Sequence, residues 1–198
     1  MGKASKGKSS KLVPATATRV MGAGELAVSE LHGASALNVS TQPSAHEAWK
    51  RFAYELYVSL GGLEEDEFLI LSVKNRPFYY VQFAAQGSFG MRAEASSSLY
   101  IPEEAAMSEE QHKYLLDLGW RAPSKLPDDL QSRHEADGSA SYFVDLAKPV
   151  PNDRLAVLAV NTLRNVFGTP HPGELQYRAF SNKTAIRFPN LGIKRADA

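Results

Sequence analysis

The sequence predicts an α+β fold, in which an antiparallel β-sheet made of a three-strand meander plus C-terminal strands packs against α-helices. Three observations predict it. Residues 67–95 contain three apolar runs whose spacers are too short for a crossover, so neighbouring strands must run antiparallel. Stretches before and after that block carry apolar residues at helical spacing. The chain has 198 residues, 43% of them hydrophobic, enough for one domain with a core of useful size.

The elements follow in order. Ser44-Ala-His-Glu47 reads as a capping box, followed by Trp49, Phe52, Ala53, Leu56, Tyr57 and Leu60 on one helical face, with Gly61-Gly62 as the stop. Glu67–Val73 is the first strand, Lys74-Asn-Arg-Pro77 the turn, and Phe78–Ala84 the second strand. Gln86-Gly-Ser88 turns the chain into a third strand, Phe89–Ala95. In the second strand Tyr79, Val81 and Phe83 share a face opposite Phe78, Tyr80 and Gln82. In the third, Phe89, Met91, Ala93 and Ala95 oppose Gly90, Arg92 and Glu94. Ser108-Glu-Glu-Gln111 opens a shorter helix with Tyr114, Leu115 and Leu118 inward, ended by Gly119. Residues 121–138, rich in Pro and Asp, read as a loop. Ser139–Ala147 is a strand candidate. Pro151 suits the first turn of a third long helix, with Leu155, Leu158, Ala159, Thr162, Leu163, Val166 and Phe167 as its apolar face and Gly168 as its stop. A strand at Glu174–Ser181 returns to the sheet, with Thr184–Phe188 a candidate after it.

Composition sets limits on function. The 22 basic and 22 acidic residues cancel, so no global field favours nucleic acid or membrane. Cysteine is absent, which excludes disulfides and thiolate zinc sites and fits a reducing cytoplasm. No apolar run approaches the ~20 residues that span a bilayer, and no apolar segment of a secretory signal follows the basic start. The cancelled charge hides an asymmetry. Residues 1–20 hold Lys3, Lys6, Lys8, Lys11 and Arg19 and no acid, and the first aromatic residue is Trp49. Residues 1–42 therefore read as a flexible basic tail with a marginal element around Gly24–Leu37. The folded domain is expected over 43–190, with a second tail at 191–198.

Two motifs imitate nucleotide sites. Gly2-Lys-Ala-Ser-Lys-Gly-Lys8-Ser9 matches a phosphate-loop pattern, but it lacks the strand before and the helix after that give the motif its chemistry. Gly22-Ala-Gly24-Glu-Leu-Ala27 resembles a dinucleotide fingerprint without the preceding strand or a later acidic ribose partner. The five histidines, His32, His46, His112, His134 and His171, show no metal-ligand spacing and read as surface or hydrogen-bonding residues. The acidic runs Glu64–Glu67 and Glu103-Glu104 read as solvated turns. No nucleophile motif is present, and neither catalysis nor a cofactor is expected.

Five short stretches, taken in order, carry a resemblance: Phe78-Tyr-Tyr-Val-Gln-Phe83, Met91-Arg-Ala-Glu94, Leu99-Tyr-Ile-Pro102, Leu118-Gly-Trp120 with Pro123, and Val166-Phe-Gly-Thr-Pro170 leading to Leu175-Gln-Tyr177. Over roughly residues 44–180 the chain resembles the actinobacterial TY-Chap domains, which are grouped with YbjN proteins and CesT-type secretion chaperones. The resemblance implies a curved antiparallel sheet on helices and ATP-independent binding of peptides or unfolded segments.

The expectation is therefore a non-catalytic, cytoplasmic chaperone or adaptor with a protein or peptide client. A structural or assembly subunit holding one fixed partner is the alternative, and a nucleic-acid factor acting through the basic tail is a third. A homodimer is compatible with the sequence. The candidate peptide-binding residues are Tyr80, Gln82, Arg92 and Glu94, which alternate with the core candidates Val81, Phe83, Met91 and Ala93. Tyrosine offers apolar area with a polar tip, and arginine can fork onto a carboxylate or carbonyl. Trp120, directly after Gly119, reads either as a core plug or as part of a client groove, and completes the set.

Overall fold

Period-two alternation in 67–95 becomes sheet register. The computed structural model describes residues 25–32, 44–124, 138–181 and 186–196. Strands β1 (Glu67–Val73), β2 (Arg76–Ala85) and β3 (Met91–Ala95) form the expected antiparallel meander. β4 (Tyr142–Leu146) pairs antiparallel with β3, and β5 (Leu175–Ser181) with the free side of β1. A two-residue β6 (Lys194–Arg195) runs parallel to β5, so the order is β4-β3-β2-β1-β5-β6.

Leu69, Leu71, Val81, Phe83, Ala93 and Leu175 point to one face and are fully buried. They meet α2 (Ala45–Gly61) and α4 (Asn152–Asn161) in a single core with Trp49, Phe52, Leu56, Leu155 and Val160. Burying each Leu, Val or Phe of this set contributes about 1.5–3 kcal/mol, so the alternation fixes which face the helices cover. α3 (Glu109–Leu118) lies on the same side. It starts with a complete Ser108–Gln111 capping box and stops at left-handed Gly119. After α4 the chain widens into a π turn over Thr162–Val166, and Gly168 at φ 63° closes it.

Several expectations need correction. Only half of the Ser44–Glu47 box forms, because Ser44 Oγ accepts from Glu47 N while the Glu47 carboxylate turns to Lys50, 3.5 Å away. Phe89 is not in β3. It sits in a short helical turn, Gly87–Phe89, and is 81% exposed, because Gly90 redirects the chain before Met91. Thr184 falls outside the described residues, and Ile186–Phe188 is not strand. The C-terminal region is more ordered than a tail: Leu191 is buried, and Lys194–Arg195 extends the sheet.

The N-terminal boundary also moves. A five-residue helix, α1 (Val28–His32), packs on α2 and α4, and Leu26 and Leu31 are completely buried. A segment too short to be a stable helix alone is held by tertiary burial. The rest of the expected basic tail, including the Gly2–Ser9 pattern, lies outside the described residues.

Candidate functional site

Because α1 to α4 all lie on the core side, the opposite face carries no helix among the described residues. Register places three rows of side chains there. Phe180, Phe68, Ala84, Arg92 and Asp145 form one row, and Arg178, Ile70, Gln82, Glu94 and Phe143 the next. Gln176, Ser72 and Tyr80 form the third. Four of the five predicted residues, Tyr80, Gln82, Arg92 and Glu94, are thus brought together on one face.

The two halves of this face differ. Toward β3 and β4 it is polar and internally bonded. Arg92 forks onto Asp145 through Nε (2.7 Å) and Nη2 (2.9 Å), and donates to the Gly138 carbonyl (3.2 Å). Gln82 Nε2 donates to one oxygen of Glu94, and the Ser139 hydroxyl donates to the other (2.6 Å). Phe143 is buried between the guanidinium groups of Arg92 and Arg121, each 5.6 Å from its ring centroid. Tyr80 OH lies 3.4 Å from Ser141 Oγ. Burial pushes the Tyr80 phenol above its ordinary pKa, the Ser141 bond opposes this, and the Glu94 charge adds to it. The predicted residues are therefore a pre-ordered network, with side chains already fixed at chosen angles.

Toward β1 and β5 the face is apolar and open. Phe68 and Phe180 stack with centroids 5.2 Å apart and planes 15° apart, beside half-buried Ile70. Phe180 remains 40% exposed, and Arg178 is exposed next to it. Sequence reading missed this half, since β5 joins β1 only through long-range pairing.

Trp120 is not part of the face. It is 3% exposed on the helix side, where its Nε1–H donates to Thr162 Oγ1 at 2.8 Å. Thr162 is positioned by its own bond to the Leu158 carbonyl, 2.8 Å away. The placement matches the core-plug reading, with the ring packed into the core cluster.

Two further arrangements bear on chemistry. His112 bridges Ser98 Oγ (3.2 Å from Nε2) and Tyr142 OH (2.7 Å from Nδ1). This has the outline of a nucleophile, a base and an orienting group. Its third member is a phenol where such arrangements use a carboxylate, and burial pushes the Tyr142 phenol further from ionising. A cleft of about 680 Å³ opens between the end of α2, the β2–β3 turn and the β4–α4 connection, rimmed by Glu64, Glu65 and Lys148. Among the described residues no group of three or more His, Cys, Asp or Glu could hold a metal ion, and no helix is long and apolar enough to cross a membrane.

Comparison with curated proteins and with solved structures returns no significant match. A family profile does match, over residues 42–181, and it spans α2 through β5 with every strand that builds the open face except β6. The chain belongs to the TY-Chap3 family, described as the T3SS (YopN, CesT) and YbjN peptide-binding chaperone 3.

Proposed function

We propose that this protein is a cytoplasmic, ATP-independent chaperone or adaptor without catalytic activity. It holds extended or partly unfolded client segments on the helix-free face of its sheet. The observation that carries the reading is the two-part character of that face. The Phe68–Phe180 stack and Ile70 supply apolar area, and the adjoining Tyr80, Gln82, Arg92 and Glu94 network supplies fixed polar contacts. Rigid aromatics and forked arginines bring contact area at low cost in conformational entropy. A preformed face needs no nucleotide-driven closure, and clients leave it by mass action.

The test is suppression of aggregation of a reduced, unfolded model protein by the full-length chain without nucleotide. Phe180→Ser, at an exposed position, should weaken capture several-fold and keep a near-native melt. Tyr80→Ala with Arg92→Ala should weaken it as well, with some lost stability because the Asp145 fork is broken. Undiminished capture in both variants would move the client site off this face.

A further inference from the structure

The docking of residues 25–32 has the features of a bound peptide. Asn161 is 1% exposed, yet both atoms of its amide are spent on one backbone residue 135 positions away. Oδ1 accepts from Leu26 N at 2.9 Å, and Nδ2 donates to the Leu26 carbonyl at 3.0 Å. A side-chain amide used this way reads the peptide group itself, as a neighbouring strand would. It is indifferent to the side chain the peptide carries.

Around the clamp the contacts grade from apolar to polar. Leu26 and Leu31 are completely buried, and Val28 packs partly against the same core. At the rim, Glu30 meets His46 Nε2 at 3.0 Å and Tyr114 OH lies 3.4 Å from a Glu25 oxygen. Asn165 supports the clamp from behind, 3.4 Å from Asn161 Oδ1. The groove belongs to α2, α3 and α4, inside the family match, whereas its filler precedes residue 42. A family domain thus carries a groove that a segment from outside the domain occupies.

We propose that this groove is a second peptide-docking site, filled in cis by residues 25–32. It accepts in trans a client segment of the same chemistry: two leucines five positions apart, the first just before a short helix and the second within it. Residues 33–43 join the cis copy to α2, which gives it an effective concentration on the order of millimolar. A client must outcompete it, so the site opens in proportion to client abundance. This site is separate from the sheet face and does not depend on it.

The experiment uses the full-length protein and a fluorescent peptide copying residues 23–34, read by anisotropy with a thermal melt in parallel. Wild type should bind the peptide weakly. Leu26→Asp with Leu31→Asp, which expels the cis copy, should bind at least about a hundredfold more tightly, in line with the loss of a tethered competitor. Adding Asn161→Ala to that variant should weaken binding about tenfold or more, as expected for two lost hydrogen bonds. A peptide with both leucines changed to alanine should not bind. The proposal is overturned if the Leu26→Asp, Leu31→Asp protein loses its cooperative melt, which would make the segment an integral part of the core. It is equally overturned if the folded variant takes no peptide. A concentration-dependent wild-type dimer dissolved by the peptide would overturn the client assignment in favour of a second copy. Phe180→Ser should leave peptide binding unchanged, which separates this result from any failure of the sheet-face reading.

Discussion

Replacing Gly90 by alanine should part β3 from β4 and reveal how tightly the open face is built. Gly90 has φ 102° and ψ −127°, a region that side chains other than glycine's rarely adopt. A Cβ added there would lie 1.9 Å from the Leu146 carbonyl oxygen and 3.0 Å from Ala147 Cα. Both neighbours are backbone, so the strands themselves must shift, beside the first β3–β4 rung, Met91 opposite Leu146. Strained backbone of this kind costs about 1–3 kcal/mol, and forcing atoms into a packed site about 1–3 kcal/mol more. Gly119 provides the control. It also has positive φ, 109°, but no heavy atom lies within 4 Å of its added Cβ, so Gly119→Ala carries the conformational cost alone. At about 2–4 °C per kcal/mol for a chain of this size, Gly90→Ala should melt about 2–12 °C below Gly119→Ala. Thermal unfolding followed by circular dichroism measures both. Equal midpoints would show that the strands do not approach as closely as described, and the account of the face would fail with them.

Trp120→Phe should cost about 1–3 kcal/mol in chemical denaturation, through the lost bond to Thr162 and the smaller ring, and leave client capture unchanged; a selective loss of capture would return Trp120 to the binding surface. The Ala27 amide holds the Glu30 carboxyl below its ordinary pKa of 4.5, with His46 assisting and burial opposing. A depressed folded-state pKa means its contribution is full above the unfolded value and fades as pH falls below about 4.5. The site is solvent-screened, so the effect should be no more than about 0.5 kcal/mol, seen as a flatter acid limb of the stability profile in Glu30→Gln; identical limbs would refute it.

What the sequence made legible was local. The meander, its two faces and the placement of Tyr80, Gln82, Arg92 and Glu94 follow from period two and short spacers, which act within a few residues. The partners of those side chains are not local. Arg92 and Asp145 are 53 positions apart, and Glu94 and Ser139 are 45 apart, so no window shows that the network is closed. The Phe68–Phe180 stack was hidden for the same reason. The segment of Leu26 and Leu31 was legible only as a marginal element, because two leucines in an aromatic-free, small-residue stretch give no long helical period, and their burial depends on Asn161 far along the chain. Trp120 was ambiguous in sequence because a tryptophan after a helix stop faces either way. Its bond to Thr162, 42 positions away, is what turns the ring toward the helices.

The central strand β1 has neighbours of very different kinds. It pairs with β2 across a two-residue turn, and with β5 across most of the domain, Gln176 and Ser72 being 104 positions apart. During synthesis the meander can close long before β5 exists. Until then one side of β1 offers unpaired backbone flanked by Leu69, Leu71 and Val73, an edge of the kind that recruits strands from other chains. Non-local pairings are also the slow ones to form. A member of a peptide-binding chaperone family thus passes through a stage in which its own middle strand needs shelter, and its yield at high expression should depend on how quickly β5 arrives.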